Sequence, residues 1–191
     1  KYVELDAENQ TVRYLARGLE INLGSIGKGY AIDRAINNLK EYFGVSSTLI
    51  QGGLSSIYGL GSPLGGDERG WLVGIQNPYN PRQLLATVRL KNRALGTSGT
   101  ANQYFEFGGQ RYGHLLDPRS GRPVDELASA SALAPDAATA DALATAFFVW
   151  GLDRTRVFCQ NNPEIAALLV LKPGDPGRRP STPQVVTFNL S

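Results

Sequence analysis

The strand-like segments of this chain follow one another too closely for most sheet topologies. Candidates at Ser47–Gln51, Trp71–Gln76, Leu84–Leu90, Tyr104–Phe107 and Gln110–Leu115 are rich in β-branched and aromatic residues. A parallel pair needs a crossover of a dozen or more residues, usually helical, and no such helix fits between these pieces. The sheet is therefore expected to be mixed or antiparallel, with Gly108-Gly109 joining the last two segments as a hairpin.

Around this group the periodicity changes. Residues 1–23 alternate through Val3, Leu5, Val12, Tyr14, Leu19, Ile21 and Leu23, which predicts strands with a turn near Glu8-Asn9-Gln10. From Lys28 the apolar residues Ala31, Ile32, Ala35, Ile36, Leu39 and Phe43 recur at spacings of three and four, a helix that Gly44 is placed to end. Residues 127–134 read as a strand, Ala137–Trp150 as a small-residue helix ending at Gly151, and Asp153–Gln160 as a shorter helix. Ile165–Leu171 reads as a buried strand and Val185–Leu190 as a final one, with the Pro-, Gly- and Arg-rich stretch Pro173–Pro183 an exposed loop between them. The 191 residues are expected to form one domain, 1–191, of α+β class with packed helices.

Composition narrows the function. Basic residues number 19 and acidic residues 17, a formal charge of +2, and they are scattered without the basic stripe that a phosphate backbone requires, so no nucleic-acid partner is expected. A single cysteine, Cys159, excludes an internal disulfide and reads as a packed helix residue. No apolar run approaches the roughly 20 residues of a membrane span. The chain opens in Lys1-Tyr2-Val3-Glu4-Leu5 as though in mid-strand, and residues upstream are expected to be missing.

Four segments can carry chemistry. In Asn22–Asp33 a strand passes through Gly24, Gly27 and Gly29 into a helix, where backbone N–H groups and the helix dipole favour an anion and Lys28 adds a full charge; the same spacing also serves a plain tight turn. Gln51-Gly52-Gly53 is a second glycine turn. In Ala140–Ala146, Asp141 and Thr145 stand at i and i+4, offering two hard oxygens to Mg²⁺ beside small residues that leave room for a phosphate; a solvated Asp near a helix start is the ordinary alternative. A metal-facing Asp141 would contribute little packing, so its removal is expected to spare the fold. His114, the sole histidine, sits on a predicted strand three residues before Asp117-Pro118-Arg119-Ser120-Gly121, a sequence that also satisfies a turn. Ser98, in Gly96-Thr97-Ser98-Gly99, lacks the nucleophile-elbow spacing and a second histidine, which disfavours a serine hydrolase.

Taken together and in order, these segments resemble the FAD:protein FMN transferase (ApbE-type) family of bacteria, once called thiamine-biosynthesis lipoproteins. Residues 22–33 look like its Leu-Gly…Lys-Gly-Tyr-Ala-x-Asp pattern, 114–123 like its His-x-x-Asp-Pro-x-[Thr/Ser]-Gly-x-Pro stretch, and 140–151 like its Ala-Asp-Ala-x-x-Thr-Ala helix. Gln51-Gly52-Gly53, Trp71-x-x-Gly74-Ile75 and Thr97-Ser98-Gly99 extend the likeness over nearly the whole chain.

The resemblance implies an ApbE-like, T-fold-like flavin transferase fold, of which this chain would be the C-terminal two thirds. It implies Mg²⁺ held by the Asp141 and Thr145 side chains and the Ser25 main-chain carbonyl. FAD contacts would come from Asn22, Lys28, His114 and Leu115, with His114 and Asp141 catalytic. The implied reaction moves FMN from FAD to a Thr or Ser hydroxyl of an acceptor flavoprotein subunit of a redox-driven membrane complex, at the periplasmic or outer face of the inner membrane. Alternatives of the same site are Mg²⁺-dependent FAD hydrolysis and non-catalytic FAD binding. Against the family pattern stand Asn22 for Asp, Thr100-Ala101-Asn102 for Asp-Tyr-Glu, Gly113 for a second histidine, and Ala144 for an oxygen-bearing residue.

Overall fold

The computed structural model describes residues 2–99, 104–107, 110–173 and 183–190, with backbone alone at 104–107 and 110–112. The chain begins with a ribbon of β1 (Val3–Asp6) and β2 (Thr11–Tyr14), then α1 (Gly27–Phe43), β3 (Thr48–Gly52) and β4 (Ser56–Leu60). A long hairpin of β5 (Trp71–Asn77) and β6 (Asn80–Leu90) precedes β7 (Arg93–Gly99), the hairpin strands β8 (Tyr104–Phe107) and β9 (Gln110–Gly113), and the two-residue pair β10 (Leu116–Asp117) and β11 (Arg122–Pro123). The last part comprises β12 (Leu127–Ala134), α2 (Ala137–Asn161), β13 (Ala166–Leu171) and β14 (Val185–Phe188).

Six strands build the main sheet in the order β14-β13-β12-β7-β4-β3, and every pairing within it is antiparallel. Its central strands are covered on both faces. Along β13, Ala167 and Leu169 pack into the core on the helix side, while Ala166, Leu168 and Val170 pack against Val73, Ile75, Val88 and Leu90 of the β5–β6 hairpin. Burial on both faces explains why β12 and β13 read as continuous apolar runs rather than alternating ones.

Helix α2 lies across β7 and β12, and α1 packs on α2, β3 and β4. Ile32 and Ile36, one turn apart, are the fully buried side chains of α1. Its end is set by Gly44 at φ 63°, whose N–H donates to the Lys40 carbonyl while Val45 donates to Leu39. Gly151, at φ 71° and ψ −164°, breaks α2 into the two predicted helical stretches.

Several expectations are corrected. Leu19, Ile21 and Leu23 alternate but form no strand: the Asn22 side chain accepts from the Gly24 N–H, and the Leu23 carbonyl accepts from Ile26 and Gly27, so turn chemistry prevails. β9 ends at Gly113, which puts His114 in the bend beyond the strand rather than on it. β4 and β7 are strands that the sequence did not announce. Gly108-Gly109, Thr100-Ala101-Asn102 and most of the Pro173–Pro183 loop lie outside the described residues.

Candidate active site

The site grows from the place where α1 and α2 meet. Gly29 faces the start of α2 so closely that a Cβ there would collide with the Ala137 carbonyl, and a Cβ on Gly96 of β7 would collide with the Ala140 carbonyl. Two glycines thus allow α2 to sit backbone-to-backbone against α1 on one side and β7 on the other.

Asp141 is buried between them. Its Oδ2 accepts from the Gly29 N–H at 3.0 Å and its Oδ1 from the Ser56 hydroxyl at 2.6 Å, a length usual for a hydroxyl donating to a carboxylate. The Lys28 ammonium lies 3.7 Å from Oδ2 and also donates to the Gly24 carbonyl at 3.1 Å. The anion bound at the start of α1 is therefore a carboxylate of this same chain, and the Gly27 N–H is turned to the Leu23 carbonyl. The expectation that Asp141 contributes little to the fold is corrected: its removal leaves a buried N–H and a buried hydroxyl without their acceptor, at about 1–3 kcal/mol each.

Thr145, one turn further along α2, shares a hydrogen bond of 2.9 Å with the Ser98 hydroxyl of β7 and points back to the Asp141 carbonyl at 3.4 Å. The α2 start is capped twice. Asp136 accepts from the Thr139 N–H at 2.7 Å, and Asp33 of α1 accepts from Ala137 and Ala138 at 2.8 Å each. Nearby, burial and then the charges of Asp33 and Asp136 push the Tyr58 phenol above its ordinary range.

Above this junction opens a cleft of about 1260 Å³. Its lining includes the polar residues Asn22, Ser25, Lys28, Ser98, His114 and Thr145, with Leu115, and the apolar residues Leu54, Leu72, Val73, Ile75 and Leu84. The structure thus brings six of the seven predicted site residues to one cleft and seats the seventh, Asp141, in the packing beneath it. Asp117 serves the turn: its carbonyl accepts from Gly121 at 2.7 Å, and its carboxylate takes a bidentate bond from Arg119, which holds it at about 2. Sequence reasoning missed Ser56 and Asp33, whose partners lie 85 and 104 residues away.

Among the described residues no three His, Cys, Asp or Glu side chains gather as a metal site. The donors present at the junction are hard oxygens with a single carboxylate, the kind of set that suits Mg²⁺ when phosphate and water complete its shell.

An antiparallel sheet backed by two helices, faced by a hairpin and opening into a wide cleft over a carboxylate and paired hydroxyls, defines an α+β protein with one candidate site in that cleft. The ApbE family model matches residues 1–169, and the chain belongs to the ApbE family. It is 31% identical over 175 residues to an FAD:protein FMN transferase of Klebsiella pneumoniae, covering 91% of this chain and 52% of that protein. To the FAD:protein FMN transferase of Treponema pallidum it is 34% identical, over 84% of this chain and 46% of the relative. Among solved structures, the ApbE protein of Thermotoga maritima superposes with a TM-score of 0.78 at 35% identity, over 89% of this chain and 54% of the other. The apo flavinyl transferase ApbE of Pseudomonas stutzeri does so at 0.76 and 29%, over 98% and 54%. The chain spans about half the length of the relatives it matches.

Proposed function

We propose that this chain transfers FMN from FAD to a Thr or Ser hydroxyl of an acceptor protein with the help of Mg²⁺, releasing AMP. The observation that carries the reading is that Lys28, His114, Ser98 and Thr145 line one cleft together with the apolar residues Leu72, Val73, Ile75 and Leu84. A cleft of about 1260 Å³ exceeds the ~300–1000 Å³ of ordinary small-molecule pockets, which suits a dinucleotide. The names of the relatives support the same chemistry.

Asp141 and Thr145, with the Ser25 carbonyl, would hold Mg²⁺, and Asn22, Lys28, His114 and Leu115 would contact FAD. Leu72, Val73, Ile75 and Leu84 offer the apolar surface that a flat ring system needs. Bound Mg²⁺ supplies neutralising charge to the diphosphate. The acceptor hydroxyl oxygen forms a bond to the FMN phosphorus, the bond from that phosphorus to the AMP oxygen breaks, and AMP leaves with the electron pair. His114 takes the hydroxyl proton, as an imidazole can near neutral pH. Lys28 steadies the oxygens on which charge builds. The acceptor is a flavoprotein subunit of a redox-driven membrane complex, and the site of action the periplasmic or outer face of the inner membrane; both rest on the family resemblance.

The test is to incubate the chain with FAD, MgCl₂ and a Thr-containing acceptor protein and to weigh the acceptor by mass spectrometry. Covalent FMN on the acceptor with stoichiometric AMP, abolished by EDTA, supports the proposal. Free FMN and AMP with an unmodified acceptor identify a hydrolase, and flavin binding with no AMP identifies a non-catalytic binder. For His114→Asn the expected outcome is a rate lower by roughly 10²–10⁴-fold that persists at saturating FAD.

A further inference from the structure

The start of α2 is held by carboxylates from two different helices. Asp136 is its N-cap and already accepts the Thr139 N–H. Asp33, on another helix, takes the two N–H groups that remain, those of Ala137 and Ala138.

The arrangement is reciprocal. The residue before α1, Ile26, provides no side-chain cap, and the Gly29 N–H in the first turn of α1 is satisfied by Asp141 of α2. Asp33 lies four residues after Gly29, and Asp141 four after Ala137, so each carboxylate reaches the first turn of the other helix across one matched helical turn. The two helices are pinned to each other twice, at Gly29 by Asp141 and at Ala137 and Ala138 by Asp33. With both pins in place α2 can neither slide nor rotate against α1. With one, it can pivot about the other and carry Thr145, a turn beyond Asp141, away from Ser98.

We infer that Asp33 is a positioning residue: by binding the Ala137 and Ala138 N–H groups it fixes the phase of α2 against α1 and so aims Asp141 and Thr145. The part that concerns a metal ion rests on the Mg²⁺ reading above; the part that concerns the helix pair does not.

The test compares the parent chain with Asp33→Ala and Asp33→Asn, the second of which keeps one side-chain acceptor. In residue-resolved amide exchange, Asp33→Ala should speed exchange at Gly29 by about tenfold, the equivalent of a lost cap, although the acceptor of that amide is untouched. Asp33→Asn should fall between, and the central β13 amide of Leu168 should keep its protection in both. Unchanged exchange at Gly29, with Ala137 and Ala138 alone accelerated, overturns the inference and leaves Asp33 a local cap. Calorimetric titration with MgCl₂ alone should show Asp33→Ala binding Mg²⁺ about 10-fold more weakly, as loss of the support behind a ligand does. Equal Mg²⁺ affinity in parent and variant overturns the positioning role even if exchange has risen. A parent that binds no Mg²⁺ counts against the metal reading, and the exchange result then decides the clamp on its own.

Discussion

Asp141 does two jobs with four lone-pair sites, and Ser56 is what its second oxygen faces. Ser56 is 1% exposed and its hydroxyl donates into the carboxylate at 2.6 Å, so Ser56→Ala removes a charge-assisted bond and leaves Oδ1 unsupported. Bonds of that kind contribute about 1.5–3 kcal/mol, and the variant should lose that much stability in urea denaturation at pH 7. A loss below about 0.5 kcal/mol, the level of an ordinary surface change, would show that Asp141 repacks without it. Asp141, Thr145, Lys28 and His114 could be picked out from the sequence because their neighbours make recognisable segments. Ser56 follows a glycine turn in a stretch with no periodicity, and its partner is 85 residues downstream. Asp33 closes a recognisable segment, but nothing local reveals that its oxygens are turned to the start of another helix.

At the scale of elements, the contact of α1 with α2 depends on what Gly29 lacks. Alanine is the better helix former by about 1 kcal/mol, so propensity alone favours Gly29→Ala. The methyl would meet the Ala137 carbonyl and the Ala138 nitrogen, backbone atoms of a helix that Gly96 already wedges from the far side. Overpacking of about 1–3 kcal/mol or more should therefore win, and Gly29→Ala should unfold at lower urea than the parent. The same close approach explains which elements were legible. Helices α1 and α2 and strands β12 and β13 are long and strongly patterned, and the sequence shows them. β7 is hidden because Gly96 beneath α2 and Gly99 against β12 read as turn formers; β4, with Gly59 against Leu90 and Trp71, is hidden for the same reason. The strand expected at Leu19–Leu23 failed in the opposite sense, because alternation persists there with no ladder to join.

For the molecule as a whole, acid should act through paired surface carboxylates. Hydrogen bonds from Arg119 hold Asp117, and those from Arg69 hold Asp67, at about 2 against an ordinary 3.8. Each is lower in the folded chain than in the unfolded one, so each stabilises the fold fully above about pH 4, and that contribution disappears as pH falls from 3.8 towards 2. Both carboxylates are only half-buried and their arginine partners reach solvent, which screens the pairs, so the effect is modest. Melting temperatures measured from pH 5 to pH 2 should fall less steeply for Asp117→Asn than for the parent; parallel curves would show that the Arg119 pair contributes nothing.

Gly151 also separates two helical segments. In an uninterrupted α-helix every inserted residue turns all that follows by about 100°, so a length change anywhere disturbs every face downstream. Here the helix is broken at Gly151, whose positive φ adds one fixed change of direction, and the Glu126 carboxylate packs against the break. The segment bearing Asp141 and Thr145 thus has its angular phase set at its own beginning and ended before the second segment starts. A residue other than glycine at 151 would have to hold a left-handed φ while its Cβ met the Glu126 carboxylate, so the break between the two segments is fixed by this one position.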